Sequence, residues 1–398
     1  MKKISLIGTL FIFSLMVLFS CQEREKPLDT EKYLSFAVEQ VTRALEPETE
    51  PNEIPRNIPQ GDEFWRTRLF TDWTSGFWPG ILWYMFEYTG DEKWVTIAHE
   101  KNMPVAQILE RDYKDHDLGF QFYCSFGNGL RLTGNEMYKD IILTAADQLA
   151  AMYHPTVGTI LSWPFARDRY ATPHNTIIDN MMNLELLFWA AENGGDPNYY
   201  DMAVRHATIT MNNQLRPDYS TWHVVAYDTI TGEAVQKVTH QGYADETMWA
   251  RGQAWGIYGF TMTYRETGNP EFLETAKNMA QIYIERLPED HVPYWDFDAP
   301  DIPDAPRDAS AAAITASALL ELSTLVNDAE ESKYYRSVAV DMLRSLAENY
   351  LSDGSNVAVL NHSVGHLTAN SEIDIPIIYA DYYFIEALLR ERELQKRK

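Results

Sequence analysis

Tyr88-Thr89-Gly90-Asp91-Glu92-Lys93-Trp94 ends one helical stretch and starts the next, and the same device returns along the chain. Leu132-Thr133-Gly134-Asn135-Glu136-Met137-Tyr138, Asn193-Gly194-Gly195-Asp196-Pro197-Asn198-Tyr199 and Glu266-Thr267-Gly268-Asn269-Pro270-Glu271-Phe272 repeat it, and Val326-Asn327-Asp328-Ala329-Glu330 is a degenerate copy. Glycine accepts the left-handed backbone that closes a helix. The Asp or Asn behind it caps the next helix, and proline fits that helix's first turn. Between these signals the apolar residues recur with helical period. They predict helices over Tyr33–Leu45, Gly80–Tyr88, Met137–Met152, Ile178–Glu192, Tyr199–Leu215, Met248–Thr267, Pro270–Arg286, Ala309–Leu325, Ser332–Tyr350 and Ile375–Glu393. Strand-like alternation is scarce, and the best short hairpin is Trp222–Tyr227 with its turn over Asp228–Gly232. The chain therefore reads as all-α, and repeated helix–turn–helix pairs suggest a toroid or a solenoid. The short turns gather at one end of such pairs. The longer, aromatic-rich connections then fall at the other end, where a site belongs.

The N-terminus carries an address. Lys2 and Lys3 precede an apolar run from Ile4 to Phe19, and Leu18-Phe19-Ser20-Cys21 is followed at once by Gln22-Glu23-Arg24-Glu25-Lys26. That pattern is a secretory signal, too short and wrongly flanked for a membrane span. A cysteine directly after the cleavage point resembles a bacterial lipobox, whose thiol receives a lipid. Residues 1–20 are expected to be a lipoprotein signal peptide, 21–28 the lipidated Cys21 and its tether, and 29–398 one catalytic domain. The expected location is the periplasm or the outer membrane, with the lipid as the sole membrane contact. Cys124 then has no partner for an intrachain disulfide, and stability rests on the core. A net charge of −25 keeps the surface soluble and repels nucleic acid. It also repels polyanions, so an anionic substrate needs local arginines. The abundant Trp and Tyr fit either a large core or platforms for sugar rings, and composition does not choose between them.

Four segments set polar side chains among aromatic or glycine-rich neighbours. In Asp72-Trp73-Thr74-Ser75-Gly76-Phe77-Trp78-Pro79-Gly80, Pro79 suits a first helical turn, which places Trp73 to Trp78 in the preceding loop. Trp73, Trp78 and Trp83 fall five apart and share no helical face, so Trp73 is a candidate ligand platform. In His116-Asp117-Leu118-Gly119-Phe120, Asp117 is either a catalytic acid or an ordinary turn residue. In Asn175-Thr176-Ile177-Ile178-Asp179-Asn180-Met181-Met182-Asn183, Asp179 opens an apolar helix, but Met182 three residues on gives no capping box. Burial would raise the proton affinity of Asp179 toward that of a general acid, a neighbouring Asp117 would raise it further, and a helix N-terminus would lower it. The sequence leaves that balance open. In His240-Gln241-Gly242-Tyr243 through Trp249-Ala250-Arg251-Gly252-Gln253-Ala254-Trp255, Arg251 and Trp255 stand four apart and share a helix face. They offer a fork for a sugar carboxylate and a plane for its ring. Trp222-His223 can join from the hairpin. The histidines form no HxH, HExxH or Cys/His cluster, and neither GxSxG nor GxxxxGK[ST] occurs, so metal and phosphate sites are not signalled.

Together these segments resemble glycoside hydrolase family 88, the unsaturated glucuronyl hydrolases. The resemblance rests on WTSGFWPG at 73–80, HDLGF at 116–120, IDNMMN at 178–183, HQGYADETMWARGQAW at 240–255, RDASAAA at 307–313 and IPIIYADYY at 375–383. It implies an (α/α)6 toroid, an unsaturated uronyl oligosaccharide as substrate, and no metal or organic cofactor. Polysaccharide lyases leave a C4=C5 double bond on the non-reducing uronic acid, and enzymes of this kind hydrate that vinyl ether. A proton goes to C4, water adds at C5, and the hemiketal opens to release the rest of the chain. By position, the resemblance makes Asp179 the acid and base and Asp117 the assisting carboxylate. It sets Trp73, His116, Trp163, His223, Gln241, Arg251 and Trp255 around the sugar. The chemistry asks for such groups, since an alkene needs an acid close to carbon and an oxocarbenium needs nearby negative charge. The carboxylate-spacing rule for retaining and inverting glycosidases does not apply. Members that accept sulfated sugars can use a basic residue in the C-terminal loop, and Leu360 to Glu372 contains no Lys or Arg. Three alternatives stay open. They are an unsaturated rhamnogalacturonyl hydrolase of family 105, an inverting glycosidase using the same two carboxylates, and a non-catalytic sugar-binding lipoprotein. The last has no need of both aspartates.

Overall fold

The computed structural model describes residues 27–47, 50–112, 114–166 and 169–397. The expected signal peptide and Cys21 lie outside the described residues. Among the described residues twelve α-helices follow one another: α1 Thr30–Ala44, α2 Phe77–Thr89, α3 Lys93–Ala106, α4 Asn128–Thr133, α5 Glu136–Ala150, α6 Leu184–Glu192, α7 Asn198–Asn213, α8 Ala250–Thr267, α9 Pro270–Glu285, α10 Ala309–Leu325, α11 Ala329–Asn349 and α12 Ile378–Lys396. The repeated turns work as their chemistry predicts. Gly90, Gly134 and Gly268 close α2, α4 and α8 at φ of 68°, 68° and 65°. The side chains of Asn135, Asn269 and Asp328 accept the first backbone N–H groups of α5, α9 and α11.

Three local features depart from the sequence reading. Trp78 lies inside α2, which begins at Phe77 rather than at Pro79. Ile178–Asn183 is a tight 3-10 segment, and the α-helical hydrogen bonding of α6 starts only at Leu184. Gly119–Gly127 is a π-helix that runs into α4. Its wider turn breaks the 3.6-residue periodicity by which helices are read.

Even-numbered helices form an inner ring and odd-numbered ones an outer ring. The inner α8, α10 and α12 bury residues on every side, whereas the outer α9 and α11 bury one face and show solvent the other. Adjacent pairs α2–α3, α6–α7, α8–α9 and α10–α11 pack as hairpins, and α1 packs on α12. α12 lies against α10 on one side and α2 on the other, which shuts the circle as an (α/α)6 toroid.

All six inner helices run the same way. Their C-termini meet the short turns around a cavity of about 670 Å³, whose carboxylates face arginines: Arg131 with Glu87 at 2.6 Å, and Arg390 with Glu321 at 2.5 Å. Cations are favoured at helix C-termini, so these pairs also answer the helix dipoles. The N-termini point to the other end, under the long connections. Those connections hold short strands: β1 Glu53–Asn57 with β2 Arg66–Leu69, β3 Tyr153–His154 with β4 Thr159–Ile160, and a three-stranded antiparallel sheet of β5 His174–Ile177, β6 Val224–Tyr227 and β7 Ala234–Val238. The expected hairpin is β6–β7, and β5 adds a third strand beside it.

Candidate active site

A cavity of about 270 Å³ opens among these connections, above the inner-helix N-termini. Of the residues singled out by sequence, Trp73, His116, Asp117, Trp163, Asp179, Gln241 and Arg251 line it. Two do not. Trp255 is fully buried one turn deeper in the ring, against Phe120 and Tyr383 with ring centroids 5.0 and 5.3 Å apart. The sugar-plane role read from its spacing to Arg251 is therefore corrected to a core role. A shared helix face fixes direction and says nothing about depth. His223 stands behind Asp179 rather than on the cavity wall.

Asp179 is delivered by the sheet. β5 pairs with β6, the Ile178 N–H donates to the His223 carbonyl at 3.0 Å, and the 3-10 turn then puts the carboxyl at the cavity. Burial pushes its pKa up to about 7, against the opposing pull of the Arg251 charge and a backbone N–H. Desolvation therefore decides the balance that sequence left open. Asp117 is pushed well above the carboxylate range, first by burial and then by the nearby carboxylates of Asp115, Asp179 and Asp72. Its place is set by Gly119, where an added Cβ would lie 2.5 Å from Asn183 Cα. Only glycine lets the π-helix approach the Asp179 turn this closely.

Each carboxyl faces an imidazole whose tautomer the surroundings dictate. His223 Nδ1 accepts the backbone N–H groups of His240 and Gln241, both at 3.2 Å. The proton of the neutral ring is then on Nε2, 3.6 Å from Asp179 Oδ2. Burial, reinforced by the charges of His240 and Arg251, holds His223 well below its ordinary pKa, so it stays neutral. His116 repeats the arrangement. Asn183 Oδ1 accepts the Phe120 N–H, so its amide nitrogen donates to His116 Nδ1 at 3.3 Å. Nε2–H of His116 then faces Asp117 Oδ1 at 3.6 Å, and burial holds that imidazole down to about 3. Both separations lie just beyond a hydrogen bond. A small side-chain movement closes either one when its carboxyl ionises.

The remaining wall is the C-terminal loop, residues 360–377. Arg251 donates to Asp308 at 3.0 Å, to the Gly365 carbonyl at 2.5 Å and to the Val364 carbonyl. Gln241 donates to the same Gly365 carbonyl at 2.9 Å. On the other side Arg56, from β1, grips Glu372 with two bonds of 2.8 Å and Asp72 with one of 2.9 Å, its guanidinium 5.2 Å from the Trp73 ring centre. Arg56, Glu372, His240, His366 and Tyr379 all line the cavity, and sequence reasoning had given none of them a role. The available signals were His240, which opens the HQGYADETMWARGQAW match, and Tyr379 inside the IPIIYADYY match. Arg56 carries no local pattern, because its partners are far away in sequence. Among the described residues no group of three or more His, Cys, Asp or Glu side chains is placed to hold a metal ion.

Known proteins share this sequence pattern and fold. An unsaturated glucuronyl hydrolase of Formosa agariphila is 49% identical over 86% of this chain and 86% of its own. An unsaturated chondroitin disaccharide hydrolase of Streptococcus pyogenes serotype M1 is 36% identical over 80% and 81%. The crystal structure of an unsaturated glucuronyl hydrolase specific for heparin superposes with a TM-score of 0.87 at 42% identity, covering 92% of this chain and 98% of that one. The family model described as Glycosyl Hydrolase Family 88 matches residues 51–387, and the chain belongs to that family.

Proposed function

We propose that this protein is a hydrolase that removes the 4,5-unsaturated glucuronic acid from the non-reducing end of lyase-generated oligosaccharides. The observation that carries the reading is Asp179: a buried carboxyl with a pKa of about 7, at the wall of a small cavity, facing a histidine locked as an N–H donor. Protonated, Asp179 gives its proton to C4 of the vinyl ether. The cation that develops at C5 and the ring oxygen is met by the negative charge left on Asp179. His223 Nε2–H then faces a carboxylate and stabilises it without titrating. The same carboxylate takes a proton from the water that adds at C5, and the hemiketal opens. Asp117 stands by for the ring hydroxyls, and the nearby Asp179 carboxylate adds to its proton affinity. A cavity of this size suits one terminal sugar held at a time. The positive ends of the inner helices that start beneath it favour an anionic sugar despite the acidic surface.

The test is ultraviolet absorbance of the C4=C5–carboxylate chromophore with a panel of lyase-generated disaccharides. Absorbance should fall with the wild type and stay constant with Asp179→Asn. No loss with any product of glycosaminoglycan, gellan, ulvan or pectin lyases would remove the assignment. The preferred disaccharide would name the parent polysaccharide.

For the N-terminus the proposal is export and a lipid on Cys21, leaving residues 29–398 as the catalytic domain at the periplasmic or outer-membrane surface. Its support is the basic head, apolar run and Ser20-Cys21 junction. Cells fed a labelled fatty acid should label the wild type and leave Cys21→Ser unlabelled. Equal labelling would refute the anchor.

A further inference from the structure

Asp308 is fully buried behind the cavity wall, and the reaction proposed above gives it nothing to do. Its Oδ1 caps α10, accepting the Ser310 N–H at 3.1 Å and the Ser310 hydroxyl at 2.6 Å. Asn or Ser would cap as well and bring no charge into the core. Oδ2 is what calls for a carboxylate. It accepts Arg251 Nη1 at 3.0 Å, and the two side chains are 0% and 2% exposed. An ion pair so deeply buried adds little net stability, which points to a task beyond holding the fold.

That task lies with Arg251. Its guanidinium is on the cavity wall, 4.7 Å from the Trp249 ring centre and 5.4 Å from that of Tyr379. The other titratable groups near Asp179 carry little charge. His223 from β6 and His116 ahead of the π-helix are held neutral by burial. Asp117 is raised further by the Asp179 carboxylate, so it keeps its proton as Asp179 ionises. Among the described residues, the full charge that acts on Asp179 is thus that of Arg251 from α8, and it draws the proton off. Around Arg251 itself stand Asp308, Glu372 and His366 of the C-terminal loop, and Tyr379 of α12. Glu372 is already gripped by Arg56, whereas the ion pair that Asp308 makes is with Arg251. A cation backed by a carboxylate at 3.0 Å acts on a third group as a dipole, whose field falls off faster than that of a bare charge.

We infer that Asp308 is a positioning residue: it fixes the Arg251 guanidinium at the cavity and mutes its charge, so that Asp179 still holds a proton when substrate arrives. The inference rests on the function proposed above and names a residue that tunes its acid from behind. Asp308→Asn keeps the cap and the volume and removes the charge. Arg251 then acts on Asp179 undiminished, and the pH above which kcat/KM declines should fall by about one unit. Relative to the wild type, kcat/KM should drop about tenfold further at pH 8 than at pH 5. A merely structural loss would lower both by the same factor and leave the bend in place. Asp308→Ser also caps α10, and its bend should move in the same direction. Infrared absorbance of the protonated carboxyl, taken in each background as a difference from the form carrying Asp179→Asn, follows Asp179 without substrate. Its midpoint should fall in step with the bend. An unmoved or raised midpoint in either folded variant overturns the inference. A wild type whose Asp179 titrates as expected but which hydrates no unsaturated disaccharide would instead overturn the proposed function, so the two failures are distinct.

Discussion

Replacing Asp179 by Asn should abolish turnover and, at neutral pH, make the protein more stable. The carboxyl has a pKa of 3.8 when unperturbed and about 7 in the fold. A raised carboxyl pKa means the folded form holds the proton more tightly. Stability from this group is therefore fully present below about pH 4 and is lost as pH rises toward and through 7. Integrating the linkage between those two values gives a loss of about 2.5 kcal/mol between pH 5 and pH 8. The variant has no such loss. The assay is urea unfolding followed by tryptophan fluorescence, on both proteins at both pH values. The gap between variant and wild type should be about 2.5 kcal/mol larger at pH 8 than at pH 5. Whatever the amide does to local packing is the same at both and cancels. The amide should fit, because its oxygen can face His223 Nε2–H and its nitrogen the cavity. A gap that does not change with pH would show that Asp179 carries no raised proton affinity, and the mechanism would lose its acid.

Because Asp179 acts in its protonated form, kcat/KM should fall about tenfold per pH unit above roughly pH 8, with the bend near the Asp179 value of about 7; a profile flat to pH 9 would contradict this. Arg251→Lys loses the bonds to Asp308 and the Gly365 carbonyl as well as the charged fork, so kcat/KM should drop about ten- to a hundredfold in steady-state assays. An unchanged value would take Arg251 out of the site. Trp255→Phe should leave KM within about twofold, whereas Trp255→Ala should cost about 3–5 kcal/mol of stability, read as a lowered melting temperature. A large KM effect in a fully folded Trp255→Phe would restore that residue to the sugar.

What sequence revealed were features whose causes are local. A glycine in left-handed backbone followed by a capping Asn or Asp needs no distant partner, and so the hairpin ends at Gly90, Gly134 and Gly268 could be read directly. The helix opened at Trp94 by the first turn could be given no span, because the apolar residues of α3 form only a weak face and Pro104 lies inside it. The π-helix after Gly119 escaped because its period is not the one being sought. The site divides in the same way. Asp117, Asp179 and Arg251 sit in distinctive local settings, whereas Arg56 matters only through Asp72 and Glu372. The role of His223 depends on two backbone N–H groups at residues 240 and 241, which no spacing rule foresees.

The ring is shut by α12, and the cavity takes its walls from Arg56 and Trp73 near one end of the chain and from Gly365 to Tyr379 near the other. No contiguous fragment holds the whole site. Helices and their hairpins form from near neighbours and rapidly, whereas joining the first and last hairpins is a long-range event and slow. On dilution from denaturant, circular dichroism should therefore recover well before catalysis. A chain stalled on the ribosome short of Ile378 would be largely helical and inert. Release of product is then a clock for the last step of folding, and it starts only when the circle closes.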